Sequence, residues 1–173
     1  TLPTEISPTV RPSQNDVLAA TLQLSFWKGR IRLLGEGAGC GFNRNRRDAT
    51  LNVENSLYQK IPAFLKPNLS TSYDYAYMAR GDFNFWKGSL ISFYTEYIGP
   101  GYNSFGVPFL RNDVLRYGGR IEQTLWKSRI KVIGRYRYEL DNLIQHKRTE
   151  STMHFYGGGF SFNQKKLPSF KVD

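Results

Sequence analysis

A chain of 173 residues with 40% hydrophobic content and a mean hydropathy of −0.48 contains no run near the ~18 apolar residues of a membrane-crossing helix, so a helical membrane protein is excluded. A membrane barrel escapes that test, because half of each barrel strand is polar and the average conceals the other half. The net charge of +10 and pI near 9.8 would suggest nucleic acid or an anionic surface as partner of a soluble protein. Much of that charge instead falls on alternate positions of a few segments, and no nucleic-acid partner is expected.

Residues 1–15, with Pro3, Pro8 and Pro12, form an extended lead-in. No signal peptide is legible at Thr1, and the expectation is a mature chain or a part of a larger one. From Asp16, Leu18, Ala20, Leu22, Leu24 and Phe26 alternate with Val17, Ala19, Thr21, Gln23 and Ser25. A turn at Lys28-Gly29 returns the chain, with Ile31 and Leu33 on the apolar side and Arg32 and Glu36 on the polar one. Gly35, Gly37, Gly39 and Gly41 follow on the apolar side, where they let a strand bend or lie under large neighbours. Residues 43–50, NRNRRDAT, are a charged loop, in which Asn43-Arg44-Asn45-Arg46-Arg47 either binds surface phosphates, such as those of lipopolysaccharide, or is simply solvated. Residues 51–66 fit a short helix carrying Val53, Leu57 and Ile61, or a lid.

The longest alternating run follows Pro67. Leu69, Thr71, Tyr73, Tyr75, Tyr77, Ala79, Gly81, Phe83 and Phe85 share a face without a charge. Beyond the turn at Trp86-Lys87-Gly88 two registers are open. A three-residue loop with Gly88 left-handed, or a bulge near Ser92, puts Ile91, Phe93 and Tyr97 on the apolar face and keeps Glu96 in water, near Arg80 or its diagonal neighbour. Residues 99–113 are a Gly/Pro/aromatic loop.

The hairpin from Leu115 to Leu140, folded about Lys127-Ser128, sorts most sharply. One face pairs Leu115, Tyr117, Gly119, Ile121, Gln123 and Leu125 with Leu140, Tyr138, Tyr136, Gly134, Val132 and Ile130, and carries no charge. Gly119 then lies opposite Tyr136, where a ring can cover a glycine. Seven of the ten residues on the other face are ionised. One register sorts both strands, and each is near the 9–11 residues that a tilted strand needs to cross a bilayer. After a polar loop at 141–151, Tyr156, Gly158, Phe160 and Phe162 alternate along a seventh strand. A turn at 163–169 leads to an eighth that stops almost at once.

Three related turns, Phe26-Trp27-Lys28-Gly29, Phe85-Trp86-Lys87-Gly88 and Leu125-Trp126-Lys127-Ser128, hold all three tryptophans. In a meander they share one rim, with Trp27, Trp86 and Trp126 as an interfacial girdle, while the long loops share the other. The expected fold is all-β: an antiparallel up-and-down meander over 16–173 forming a transmembrane β-barrel or part of a larger one, about seven strands and the start of an eighth. A soluble eight-stranded lipid-binding barrel is the competitor; it would use the same alternation inside out, with Tyr73, Tyr75, Tyr136 and Tyr138 around a ligand.

The expected lumen-lining residues are Arg80, Glu96, Arg116, Arg120, Glu122, Lys131, Arg135, Arg137 and Glu139. Arg120 would face Arg135 directly, an unfavourable pairing unless water or an acid intervenes. These residues would favour anions or hold an acidic plug; the plain alternative is a solvated wall with Glu122 and Glu139 interleaved. His146 and His154 flank a polar turn, but two histidines without a third ligand make a poor metal site, and none is expected. His154 with Ser161 could sketch a barrel-borne hydrolase, yet no spacing singles them out and no catalytic residue is assigned. No phosphate-binding glycine loop or Cys/His cluster appears, so no cofactor is expected, and the single Cys40 rules out an internal disulfide.

With Gly101-Tyr102-Asn103-Ser104-Phe105-Gly106-Val107-Pro108-Phe109-Leu110 and Tyr138-Glu139-Leu140-Asp141-Asn142-Leu143 between its strands, the chain over about 68–170 resembles outer-membrane β-barrel proteins of the Bacteroidota. That resemblance implies a bacterial outer-membrane location and a role among pores, nutrient importers, or secretion and surface-motility machinery. It implies the lipid bilayer as partner, with lipopolysaccharide and other outer-membrane subunits pairing at open strand edges as further partners. It transfers no functional residue. The function expected is a non-enzymatic component of a pore, transport or secretion complex; the alternative is a surface-modifying barrel enzyme, with His154 the first residue to test.

Overall fold

A computed structural model of the chain describes residues 11–51, 66–107, 109–144, 149, 151–163 and 170–172. Alternation is realised as eight strands among these residues: β1 (Gln14–Phe26), β2 (Ile31–Asn43), β3 (Thr71–Phe83), β4 (Ser89–Ile98), β5 (Val114–Leu125), β6 (Ile130–Asp141), β7 (Thr152–Phe162) and the short β8 (Phe170–Val172). They form one antiparallel sheet in chain order, an up-and-down meander. β1 and β8 are its two edges and do not pair, so the sheet is open and not closed into a barrel. β8 reaches only Phe160 to Phe162 of β7.

The hairpin registers are those the alternation predicts. Phe26 faces Ile31 and Leu24 faces Leu33; Leu125 faces Ile130, Tyr117 faces Tyr138, and Arg120 faces Arg135. Two turns have the type I′ form that matches strand twist. Lys28 and Gly29 have φ of 57° and 82°, Lys127 and Ser128 of 54° and 68°, and Arg30 N and Arg129 N donate to Trp27 O and Trp126 O at 3.3 and 3.2 Å. The third turn uses Gly88 at φ 78°, with Ser89 N donating to Trp86 O. It puts Ile91 opposite Phe83, Phe93 opposite Gly81 and Tyr97 opposite Tyr77, so the register that keeps Glu96 off the apolar face is the one formed.

Three expectations are corrected. β1 begins at Gln14, two residues into the supposed lead-in. β3 spans 13 residues rather than the 17 in phase. At its start Asn68 Oδ1 accepts from Ser70 N and Thr71 Oγ1 and holds a turn; at its end Asn84 N donates to Arg30 O, outside the β3–β4 ladder. The ring nearest Gly119 belongs to Phe93 of β4, 3.4 Å from where a Cβ would stand, rather than to Tyr136. The helix or lid expected at 51–66 falls, but for its ends, outside the described residues.

The two faces differ in kind. On the apolar face, β1 to β7 carry one formal charge, Asp16 near the long-loop end, and large side chains stand open: Leu18 is 83% exposed, Tyr73 60%, Ile121 59% and Tyr156 78%. The buried apolar residues, Cys40, Ile98, Tyr102 and Val114, all lie on or against the opposite, charged face. Loop 99–113 creates this small core by folding back over that face. Gly101 N donates to Asp74 Oδ2 of β3 at 2.6 Å, Asn103 N to Cys40 Sγ of β2 at 3.4 Å, and Asn15 Nδ2 of β1 to Asn103 O at 2.9 Å. Phe105 meets Phe42 edge-to-face, with centroids 5.9 Å apart.

Candidate functional site

Strand pairing arranges the charged face in cross-strand rows. Glu96, Arg116 and Glu139 form one row, Tyr94, Gly118 and Arg137 the next, and Ser92, Arg120 and Arg135 a third, followed by Leu90, Glu122 and Ile133. All nine expected water-side residues therefore lie on this face, but their charges are neutralised unevenly.

Arg116 Nε bonds Glu139 Oε2 at 2.8 Å and its Nη1 bonds Glu96 Oε2 at 3.1 Å. Glu139, only 3% exposed, also pairs with Arg111 at the end of loop 99–113, and Arg111 reaches Asp141 at 3.1 Å. Glu122 serves two cations, Arg120 and Lys131, each at 2.5 Å. Arg80 pairs with Asp82 of its own strand at 3.0 Å and not with Glu96, because Arg116, directly opposite Glu96, engages that carboxylate. Arg135 and Arg137 have no carboxylate within ion-pair distance among the described residues. The Arg137 guanidinium lies 4.0 Å over the Phe155 ring, a cation–π contact that fixes its plane.

These two arginines border a hollow of about 690 Å³ whose margin includes Arg80, Ser92, Tyr94, Arg120 and Phe155. Tyr94 lies across Gly118, where a Cβ would stand 2.9 Å from its ring. Ser92 is 6% exposed; its Oγ and the buried Nε of Arg120 have no hydrogen-bond partner among the described residues.

Other candidates separate. His154 lies on the apolar face, its Nδ1 3.1 Å from Tyr136 Oη and its ring among Tyr136, Tyr138 and Tyr156. Ser161 is seven residues along the same strand and on the opposite face, beside Lys131, so the hydrolase pair does not assemble. His146 lies outside the described residues, and no trio of metal-ligating side chains occurs among those described. Arg44, Arg46 and Arg47 project outward from a turn held by Asn43, Asn45, Asn68 and Ser70.

Trp27, Trp86 and Trp126 are 73%, 72% and 66% exposed and share the short-turn rim as expected. A second aromatic band, not expected from the sequence, lies on the apolar face towards the long loops. Tyr75, Tyr77 and Tyr97 stack at 5.1–6.4 Å, and Tyr117 stacks on Tyr138 at 4.6 Å. Arg111 and the folding-in of loop 99–113, where Gly99 and Gly101 lie against Asp74, were not expected from the sequence either. Comparison with known protein families, curated proteins and solved structures finds no match to this chain.

Proposed function

We propose that this sheet is wall from a bacterial outer-membrane β-barrel, with lipid on the apolar face and water on the charged one, in a non-enzymatic pore, transport or secretion component. The observation that carries the reading is the pair of aromatic bands. From Trp126 to Tyr117 is nine residues, which at a rise of ~3.4 Å and a tilt of ~40° is about 23 Å along the membrane normal, against an apolar band of ~25 Å in such barrels. Between the bands the apolar face carries no charge: Leu33, Gly81, Phe93, Gly119, Tyr136 and Tyr156 form one row, and Ile31, Phe83, Ile91, Ile121, Gly134 and Gly158 the next. Strands of 10–13 residues in β1 to β7 are long enough to cross. A soluble lipid binder would enclose the tyrosines; here the in-folded loop covers the other face, which favours the membrane arrangement.

Single cysteines in a Cys40→Ala background test the two sides. In the full chain reconstituted in lipid, Val132→Cys and Tyr75→Cys should react with an apolar maleimide and resist a charged one, whereas Arg135→Cys should take the charged reagent. Equal reaction with the charged reagent on both faces would overturn the proposal. Where the assembled protein conducts, anions should be favoured, and Arg135→Glu with Arg137→Glu should reverse the preference.

A further inference from the structure

We infer that the charged face carries a built site for a phosphoryl-type oxyanion, formed by Arg135 and Arg137 of β6, Arg120 of β5 and Ser92 of β4. It rests on two parts of the proposed function: that this face meets water and, for the class of ligand, that the sheet spans a bilayer.

Three observations converge. Arg120 and Arg135 stand directly opposite one another, a like-charge pairing that works against the sheet unless an anion lies between them. The neighbouring cations already have partners: Arg116 has two carboxylates, Arg80 has Asp82, and Lys131 shares Glu122 with Arg120. Four arginines, Arg80, Arg120, Arg135 and Arg137, border the hollow; Asp82 and Glu122 pair with the first two, Glu96 at its margin is engaged by Arg116, and the excess falls on Arg135 and Arg137. Second, the buried Ser92 Oγ and Arg120 Nε, adjacent across β4 and β5, are without partners beside the same hollow. Buried polar groups are nearly always bonded, so these two mark where a ligand oxygen would be received. Third, the floor is open: Gly157 lies beside Arg135, and a Cβ there would meet nothing closer than Arg135 Cβ at 3.8 Å.

Several guanidinium forks and a hydroxyl suit a multiply charged group with three or more oxygens, since each fork can hold two of them. Chloride satisfies the charge but not the forks. Arg135 is the sixth residue of the twelve in β6, which places the site midway along the wall and away from either rim. A headgroup of the surrounding bilayer does not reach it, so the ligand class is a soluble phosphoryl compound.

The test is titration of the full chain, folded in a non-ionic detergent, with inorganic phosphate and pyrophosphate at constant ionic strength in chloride. Saturable binding of one equivalent, at least tenfold tighter than chloride, is expected. Arg135→Gln and Arg137→Gln should each weaken it tenfold or more, Ser92→Ala several-fold, and Lys28→Gln at the distant turn not at all. Phosphate binding no tighter than chloride, or unchanged in Arg135→Gln, would overturn the site. If the arginine variants do not fold, Ser92→Ala decides, and unchanged affinity overturns it. Displacement of phosphate by short-chain phosphatidylglycerol would overturn the assignment to a soluble ligand. Maleimide labelling separates the two claims: correct sidedness without phosphate binding removes the site alone, and binding with both faces open to water removes the barrel reading alone.

Discussion

Arg116 and Glu139 face each other across β5 and β6 and close a 2.8 Å ion pair at a carboxylate that is 3% exposed. Removing one partner of such a buried pair leaves the other charge uncompensated, at a cost of about 3 kcal/mol. Glu139→Ala should therefore lower the urea midpoint of the folded chain well below wild type. Arg111→Ala removes a side chain that is 45% exposed and should cost under about 1 kcal/mol. The reverse order would show that Glu139 is held by something other than these arginines.

Charge on the apolar face should interfere with insertion. In the proposed membrane arrangement, Val132→Arg and Gly119→Arg each place a cation near mid-bilayer, worth about 2–4 kcal/mol against the inserted state. Arg120→Ser, on the opposite face, should fold into lipid as wild type does. The measurement is the fraction folded into vesicles, read by resistance to added protease.

Ser128 occupies a left-handed position with φ 68°, where the sister turn has Gly29. A non-glycine residue there is strained, so Ser128→Gly should stabilise the hairpin by about 1 kcal/mol, less the backbone freedom glycine restores to the unfolded chain. Lys28→Gly in the first turn should act in the same direction. Urea midpoints measured side by side decide it; a fall in both would mean the turns owe their shape to the tryptophans.

Burial holds the Tyr102 phenol above its ordinary value, and the neighbouring Cys40 adds to the effect. A folded-state value above the unfolded one gives stabilisation that is whole below about pH 10 and is lost as the pH rises through the folded value. Loop 99–113 should accordingly loosen in alkali. Tyr102→Phe should abolish that component, so urea midpoints taken below and above about pH 10 should diverge less in the variant.

The strand registers were legible because a period of two leaves little freedom: shifting Leu115–Leu125 by one residue would put Arg116, Arg120 and Glu122 among tyrosines. The same logic resolved the turn after Trp86 through Glu96. Loop 99–113 was not legible, because Gly-rich irregular backbone has no period and its anchors, Asp74, Cys40 and Asn15, come from strands far back in the chain. The tyrosine band escaped notice for a related reason. Alternation gives the face of each residue but not its depth, which depends on strand tilt. Nor could single strands reveal that Glu122 serves two cations while Arg135 has no carboxylate among the described residues; that needs the neighbouring strands side by side.

A sheet whose spatial order equals its chain order is mechanically a zipper, and pulling on either edge would peel one strand at a time. Loop 99–113 changes this. Rooted between β4 and β5, it ties itself to β3, β2 and β1 through Asp74, Cys40 and Asn15, like a brace nailed across adjoining planks. At its far end Arg111 holds Glu139 and Asp141 of β6. Under tension β1 to β6 should yield together, in one large rupture, whereas β7 should leave by itself. During assembly the same brace leaves β1, the first strand to be made, unfastened on this face until the loop after β4 has emerged.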